Sequence, residues 1–248
     1  MYELLMSGHD PLRFDAAAEL VLNGQDEAET SFVFAPVDRA TLQTQVYEQL
    51  RRAVMGGVFR PGTPITIRAA ADALGVSQMP ARAALQRLEI EGALVARGGK
   101  RTLVIPEMSR EEYTEMLDIG VMLEGMAAER ACGLITPDEV AIMTSACHAM
   151  QAAADSDDRD AYVVANWTFH RTLYAASRLK TLLGFIEMRW LRIGPYVRLM
   201  MPDRESLLTS MPNHWAVLEA LRARDGVAAR NAITSDLQDC ARTLLPYL

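Results

Sequence analysis

The chain has 248 residues, half of them hydrophobic, and a formal charge of −7 at pH 7, enough for one large or two ordinary domains with a substantial core. No apolar run approaches the roughly 18 residues that span a bilayer. The N-terminal stretch also lacks the basic-then-apolar order of a secretory signal, so no membrane partner and a cytoplasmic location are expected. Cys132, Cys147 and Cys240 share no C-x-x-C spacing and fall in helical stretches, the pattern of buried free thiols.

Residues 1–38 carry a net charge of −7 and one weakly amphipathic stretch, Leu12 to Leu22, before an acidic run from Asn23 to Thr30. An N-terminal extension that is partly disordered, or a docked short helix, is expected there. Residues 39–105 reverse the sign, with a net charge of +6, and residues 106–248 return to −6. A compact basic segment in an acidic chain is the electrostatic footprint of one DNA-contacting domain joined to a domain with another task.

From Leu42 the pattern is helical, with Val46, Leu50, Ala53 and Val54 on one face and Arg51 and Arg52 outside it, until Gly56-Gly57 ends the run. Arg60-Pro61-Gly62 is a turn signal, Pro64 to Ile67 suggests a short strand, and Ala69 to Leu74 a short helix. Gly75 can take the left-handed conformation that ends that helix, and Ser77 can cap the next. Pro80 sits in the first turn, where its missing N–H costs nothing. Ala81, Ala84, Leu85 and Leu88 then form an apolar face, while Gln78, Arg82 and Gln86 fall on the other. A guanidinium and two amides near a helix N-terminus can make bidentate contacts to base edges in the major groove. After Gly92, two short apolar runs, Ala93–Ala96 and Thr102–Ile105, flank Arg97-Gly98-Gly99-Lys100-Arg101, a hairpin with a cationic tip suited to backbone phosphate.

The string Val46, Leu50, Pro61-Gly62, Gly75-Val76-Ser77, Pro80-x-Arg82, Leu85-x-Arg87-Leu88, Glu91-Gly92 and the Gly-Gly-Lys wing resembles the winged helix-turn-helix domain of GntR-family bacterial transcription regulators across residues 39–105. The resemblance places DNA contacts at Arg68, Ser77, Gln78, Met79, Arg82, Gly99 and Lys100. Gln78 stands where the family usually has Arg, and Ala83 where it usually has Glu. Gln favours adenine and Arg favours guanine, so a changed operator base is expected opposite Gln78.

Residues 106–248 are helical by period. Ser109 with Glu112 and Thr136 with Glu139 are capping boxes. Helices are expected near 109–132, 137–154, 158–176, 179–200, 205–223 and 226–245. The fold class is therefore mostly α: an N-terminal winged helix-turn-helix domain and a C-terminal six-helix antiparallel bundle with room for a ligand. Such a bundle behind this winged helix resembles the effector and dimerisation (FCD-type) domain of the FadR-like branch of the family. The resemblance implies a ligand-responsive regulator, more often a repressor, that binds double-stranded operator DNA as a homodimer and a small-molecule effector in the bundle.

Spacing by four puts Asn166 and His170 on one helix face. His214 shares a face with Val217, Leu218 and Leu221, and Asp236 shares one with Ala229, Ala232, Ile233 and Cys240, so both point inward. A carboxylate on an apolar stripe is costly unless a cation or hydrogen bond compensates it. By themselves these histidines read equally as hydrogen-bonded core residues. In the resembled branch an Asp or Asn, a His four residues on, and a His from each of two later helices hold a metal. Those positions fall on Asn166, His170, His214 and Asp236, with Asp236 in place of the third His and a divalent ion such as zinc as the implied cofactor. The family's Arg three residues before Leu123-Glu124, which pairs with acidic effectors, is Gly120 here. That weakens the case for a carboxylate effector unless Arg171, Arg189, Arg192 or Arg198 substitutes. Met188, Met200 and Met201 with Trp190 and Tyr196 are candidates for an adaptable lining, His148 for the same cavity or for the surface.

Two other classes compete. A metal-dependent enzyme in the bundle, such as an oxidase with ferritin-like di-metal chemistry, would need a Glu-x-x-His pair, and neither that pair nor a nucleophile–base motif occurs. A DNA-binding module whose bundle only dimerises would lack a polar cavity.

Overall fold

A computed structural model describes residues 42–98, 102–200 and 204–248. The expectations for residues 1–38, for Gly99, Lys100 and Arg101 at the wing tip, and for Met201 lie outside the described residues.

Helix α1 (Leu42–Met55) buries Val46, Tyr47, Leu50, Val54 and Met55, adding Tyr47 and Met55 to the expected stripe and leaving Ala53 half-buried. Strand β1 (Pro64–Ile65) follows the Pro61-Gly62 turn, and α2 (Ile67–Leu74) opens on Thr66, whose hydroxyl accepts from the Ala69 amide at 3.1 Å. Gly75, at φ 64°, closes α2 by donating to the carbonyls of Ala71 and Asp72. Helix α3 (Gln78–Ile90) buries Pro80, Ala81, Ala84, Leu85 and Leu88, as its period requires. The Ser77 side chain makes no capping hydrogen bond, contrary to expectation. The favoured donor for a capping side chain is the third amide of the helix, and here that residue is Pro80, which has none.

Strands β2 (Val95–Arg97) and β3 (Thr102–Val104) pair antiparallel, Arg97 opposite Thr102, and β3 also pairs with β1, giving the order β1-β3-β2. Arg97, placed in the turn by the sequence pattern, therefore belongs to strand β2.

Six helices follow: α4 (Arg110–Ala131), α5 (Pro137–Asp155), α6 (Arg159–Ala176), α7 (Lys180–Val197), α8 (Arg204–Ala223) and α9 (Gly226–Leu244), with a short 3-10 turn at Leu245–Tyr247. Both capping boxes form, with the Ser109 and Thr136 hydroxyls accepting from the Glu112 and Glu139 amides while those carboxylates accept in return. Asp158 and Asp225 cap α6 and α9 by accepting from the Ala161 and Ala228 amides. Helix α4 packs on α9, α6 and α7, α5 on α6 and α8, and α8 on α9, so the inward faces of five helices meet around one polar cluster.

Candidate functional site

On the winged helix, Arg68, Ser77, Gln78, Met79 and Arg82 are all exposed and gather at the start of α2 and of α3. Met79 is 72% exposed at the tip of α3, unusual for so large an apolar side chain and suited to contact with a thymine methyl. Arg68 lies 3.7 Å from Asp72, with both side chains largely in solvent. Arg87 is used differently. Its guanidinium stacks 3.7 Å from the centre of the Tyr47 ring and donates to Glu91 at 3.1 Å. The Tyr47 hydroxyl donates to the same carboxylate at 2.7 Å. Burial and that hydrogen bond push the Tyr47 phenol up to about 12. This triad ties α1 to the end of α3. It explains the Leu-x-Arg-Leu and Glu-Gly elements of the motif as architecture instead of DNA contact.

In the bundle, His170 on α6, His214 on α8 and Asp236 on α9 are buried and converge, each offering a ligand atom within 4.8 Å of the others. His170 Nε2 stands 3.5 Å from Asp236 Oδ2, and His214 Nδ1 3.6 Å from Asp236 Oδ1. Asn166, one turn before His170, places Oδ1 3.0 Å from His214 Nε2. All four side chains named from the sequence are thus brought together.

Their neighbours decide which atoms carry protons. His214 Nδ1 lies 3.0 Å from the Ser210 carbonyl, a pure acceptor, so Nδ1 donates and Nε2 holds the lone pair. The Tyr174 hydroxyl donates to buried Glu124, so its oxygen accepts from His170 Nδ1 at 2.9 Å, and the His170 lone pair is again on Nε2. Two imidazole lone pairs, on His170 Nε2 and His214 Nε2, then gather with the Asn166 amide oxygen and the Asp236 carboxylate, while the His214 Nδ1–H is engaged by the Ser210 carbonyl. Asp236 Oδ1 is buried without a hydrogen-bond partner. Burial raises the Asp236 carboxyl above its usual range, and burial, with the neighbouring His214 and Arg189, holds His170 well below the usual imidazole value. Two imidazole nitrogens, an amide oxygen and a carboxylate form a donor set that fits a cation. Separations of 3.0 and 3.5 Å also match the edges of a coordination shell, where ligands about 2.0–2.1 Å from zinc sit roughly 3.4 Å apart.

Glu124, Tyr174 and Arg189 were not singled out together by the sequence. Glu124 is fully buried and accepts from Tyr174, from Arg189 Nη1 and from Trp190 Nε1 at 3.2 Å, which compensates a carboxyl whose burial otherwise favours the neutral form. Arg189 also donates from Nε to the Met116 carbonyl at 2.6 Å. Its guanidinium fills the space above Gly120: a Cβ at that position would lie 2.3 Å from Arg189 Cζ. The arginine missing at Gly120 is therefore replaced in space by one from α7. Of the other candidates, Arg171, Arg192 and Arg198 pair with Glu187, Glu112 and Asp160 away from the cluster. Met188 is exposed, Tyr196 is occupied with the Met108 amide, and exposed His148 packs edge-on against Trp215, so none of the three joins the lining.

A cavity of about 30 Å³ adjoins the cluster, lined among others by Asn166, His170, Arg189, Trp190, Asp236 and Cys240. Met200 and Cys240 separate it from a larger, polar cleft of about 240 Å³ between α8 and α9.

A winged helix with an exposed reading helix, joined to a helical bundle with a buried polar cluster, defines an effector-dependent DNA-binding protein. Residues 42–104 match the model of the gntR family of bacterial regulatory proteins and residues 115–239 that of the FCD domain, so the chain belongs to the GntR family, in its FCD-bearing branch. It is a transcription regulator, and the family is not one of enzymes. The HTH-type transcriptional regulator McbR of Escherichia coli K12 is 27% identical over 200 residues, covering 80% of this chain and 90% of McbR. The repressor RspR of the same strain is 26% identical over 204 residues, 81% and 87% of the two chains. The solved structure of E. coli McbR/YncC superposes with a TM-score of 0.77 at 26% identity, over 84% of this chain and 99% of that one. Members of the family bind operator DNA through the winged helix and small molecules through the FCD domain. No described helix is long and apolar enough to cross a membrane.

Proposed function

We propose that the chain is a cytoplasmic repressor that binds its operator as a homodimer through residues 39–105 and releases it when a divalent cation and a small effector, a carboxylate in the simplest case, occupy the bundle of residues 106–248. Arg68, Ser77, Gln78, Met79, Arg82, Gly99 and Lys100 contact the DNA. Asn166, His170, His214 and Asp236 hold the cation, which when bound supplies the charge that Asp236 lacks and open positions for an effector oxygen. The observation that carries this reading is the buried Asp236 carboxylate, with Oδ1 lacking a hydrogen-bond partner and Oδ2 3.5 Å from the lone pair of His170 Nε2. Glu124, through Tyr174, fixes the tautomer of His170, and Arg189 stands at the cavity wall where an anionic effector would meet it.

The homodimer is supported by a broad apolar groove along α5 and α6, where Ile142 and Val164 are 48% and 62% exposed among small residues such as Ala149 and Ala161. An apolar patch of this kind on a two-fold assembly is self-complementary. Metal analysis of protein purified without chelator, beside the His170→Ala/His214→Ala double variant, tests the site. About one divalent ion per chain in the first and none in the second is expected, with sedimentation reporting a dimer for both. Equal metal content in the two would leave the histidines as core residues.

A further inference from the structure

Helix α7 has two working faces. Arg189, Trp190, Ile193 and Val197 line the cavity, with Met200 just beyond the helix end. On its other side α7 makes the principal helix contact between the bundle and the winged helix, against α1. At that contact Gly194 lies on the end of α1 so closely that a Cβ there would stand 2.4 Å from the Met55 carbonyl oxygen. A Cβ on Gly57 would in turn meet the Gly194 carbonyl oxygen at 2.9 Å. Backbone therefore rests on backbone, with no side chain between to absorb a displacement. Two turns earlier, Glu187 pairs with Arg51 of α1 at 3.1 Å and lies 3.7 Å from Arg171 of α6, the residue after His170.

The helix is also weakened at the point of contact. Pro195 follows Gly194 inside α7, removing one backbone donor and crowding the carbonyl four residues earlier, so bending concentrates there. Immediately past the bend, Tyr196 accepts a 2.6 Å hydrogen bond from the Met108 amide, in the segment that joins the sheet to α4. The cavity wall, the bend, the contact with α1 and the hold on the inter-domain segment all fall within residues 187–197.

We infer that α7 carries the state of the cavity to the winged helix, and that the Gly194–Met55 backbone contact, steadied by Arg51 and Glu187, is where it does so. This rests on the reading of the cavity as the effector site. Occupants of the cavity push on the α7 face and tilt the segment before Pro195, and α1 follows because nothing between them yields. The recognition helix follows α1 in turn, since Tyr47, Arg87 and Glu91 bind the two together.

A double-mutant cycle on the full-length protein tests it, read as affinity for an operator fragment selected in vitro. Cys240→Phe fills the cavity from the α9 wall and leaves α7 unaltered; Gly194→Ala wedges the contact with α1. The filler is expected to change operator affinity by about fivefold or more alone, and by less than about twofold beside Gly194→Ala or the milder Glu187→Gln. An undiminished effect in both backgrounds would overturn the inference. So would no effect of a filler that folds, with Cys240→Met serving if the phenylalanine variant does not. Hydrogen exchange with zinc alone as the probe gives a second reading. Slowed exchange in residues 47–58 and 187–197, lost from 47–58 in Glu187→Gln, supports coupling through α7. Slowed exchange confined to α6, α8 and α9 refutes the coupling and keeps the metal site. No change anywhere refutes the metal site and leaves the filler cycle to decide.

Discussion

Replacing Asp236 by Asn separates a metal centre from a merely structural cluster, because the two give opposite signs. The substitution keeps the shape, removes a buried charge and introduces an N–H donor facing the lone pair of His170 Nε2, 3.5 Å from the present carboxylate oxygen. A buried polar atom without a partner costs about 1–3 kcal/mol. In chelator, therefore, Asp236→Asn should be more stable than the wild type by that amount. At about 2–4 °C per kcal/mol for a chain of this size, Tm rises by roughly 2–12 °C. With zinc at a hundred times the wild-type Kd, the wild type gains about 2.7 kcal/mol by mass action. If the loss of the carboxylate weakens binding by about 100-fold, the variant gains only about 0.4 kcal/mol. Scanning calorimetry of both proteins, each with chelator and with zinc, measures all four values. A variant less stable by the same amount in both conditions would refute the reasoning, since the carboxylate would then be held by protein hydrogen bonds.

Other expectations follow from the same geometry. Arg82→Ala should cost about 1–3 kcal/mol of specific operator binding in a folded protein, seen by anisotropy at fixed salt. Lys100→Ala should instead weaken binding to every sequence and lower the salt slope by roughly one. Gly120→Ala drives a methyl into the Arg189 guanidinium, so a loss of about 1–3 kcal/mol is expected in urea unfolding, while Met122→Ala, on the exposed side of the same helix, should be nearly neutral. In the Asp236→Asn background with chelator, His170 faces His214, Arg189 and Tyr174. Its folded value is depressed, so its contribution is fully present above the ordinary imidazole value of about 6.5 and is lost as pH falls from there through the folded value. Denaturant midpoints should drop over that range and flatten in an added His170→Gln; a flat profile in both would show that His170 is not held neutral by burial.

Local signals gave away most of the architecture. Gly75, the two capping boxes and Asp225 each act over three or four residues, so the helix limits they mark needed no tertiary information. The interior of the site depended on long-range packing. Asn166 and His170 share a face by spacing alone, but nothing in the sequence brings α8 and α9 to them except the family resemblance. Glu124 and Tyr174 are 50 residues apart, and their bond was out of reach. A signal for Glu124 existed: it is a charged residue in the stripe Gly120, Ala127, Ala128, Ala131, all buried, and a charge there requires partners. Ser77 was misjudged because Pro80 removes the donor its hydroxyl would have used.

The size of the cavity sets a term in the sensitivity of the regulator. About 30 Å³ holds roughly two water molecules, so an organic effector at this site needs the cavity to widen. If the cavity is the effector site, binding waits for Met200 and Cys240, which line both the cavity and the neighbouring cleft, to give way, and the apparent Kd is the intrinsic one divided by the fraction of molecules already open. On the proposed reading, the threshold concentration at which transcription responds is thus adjustable at two side chains that are not among the proposed metal ligands. On that reading, a smaller residue at position 200 would lower the threshold with the four proposed metal ligands left in place.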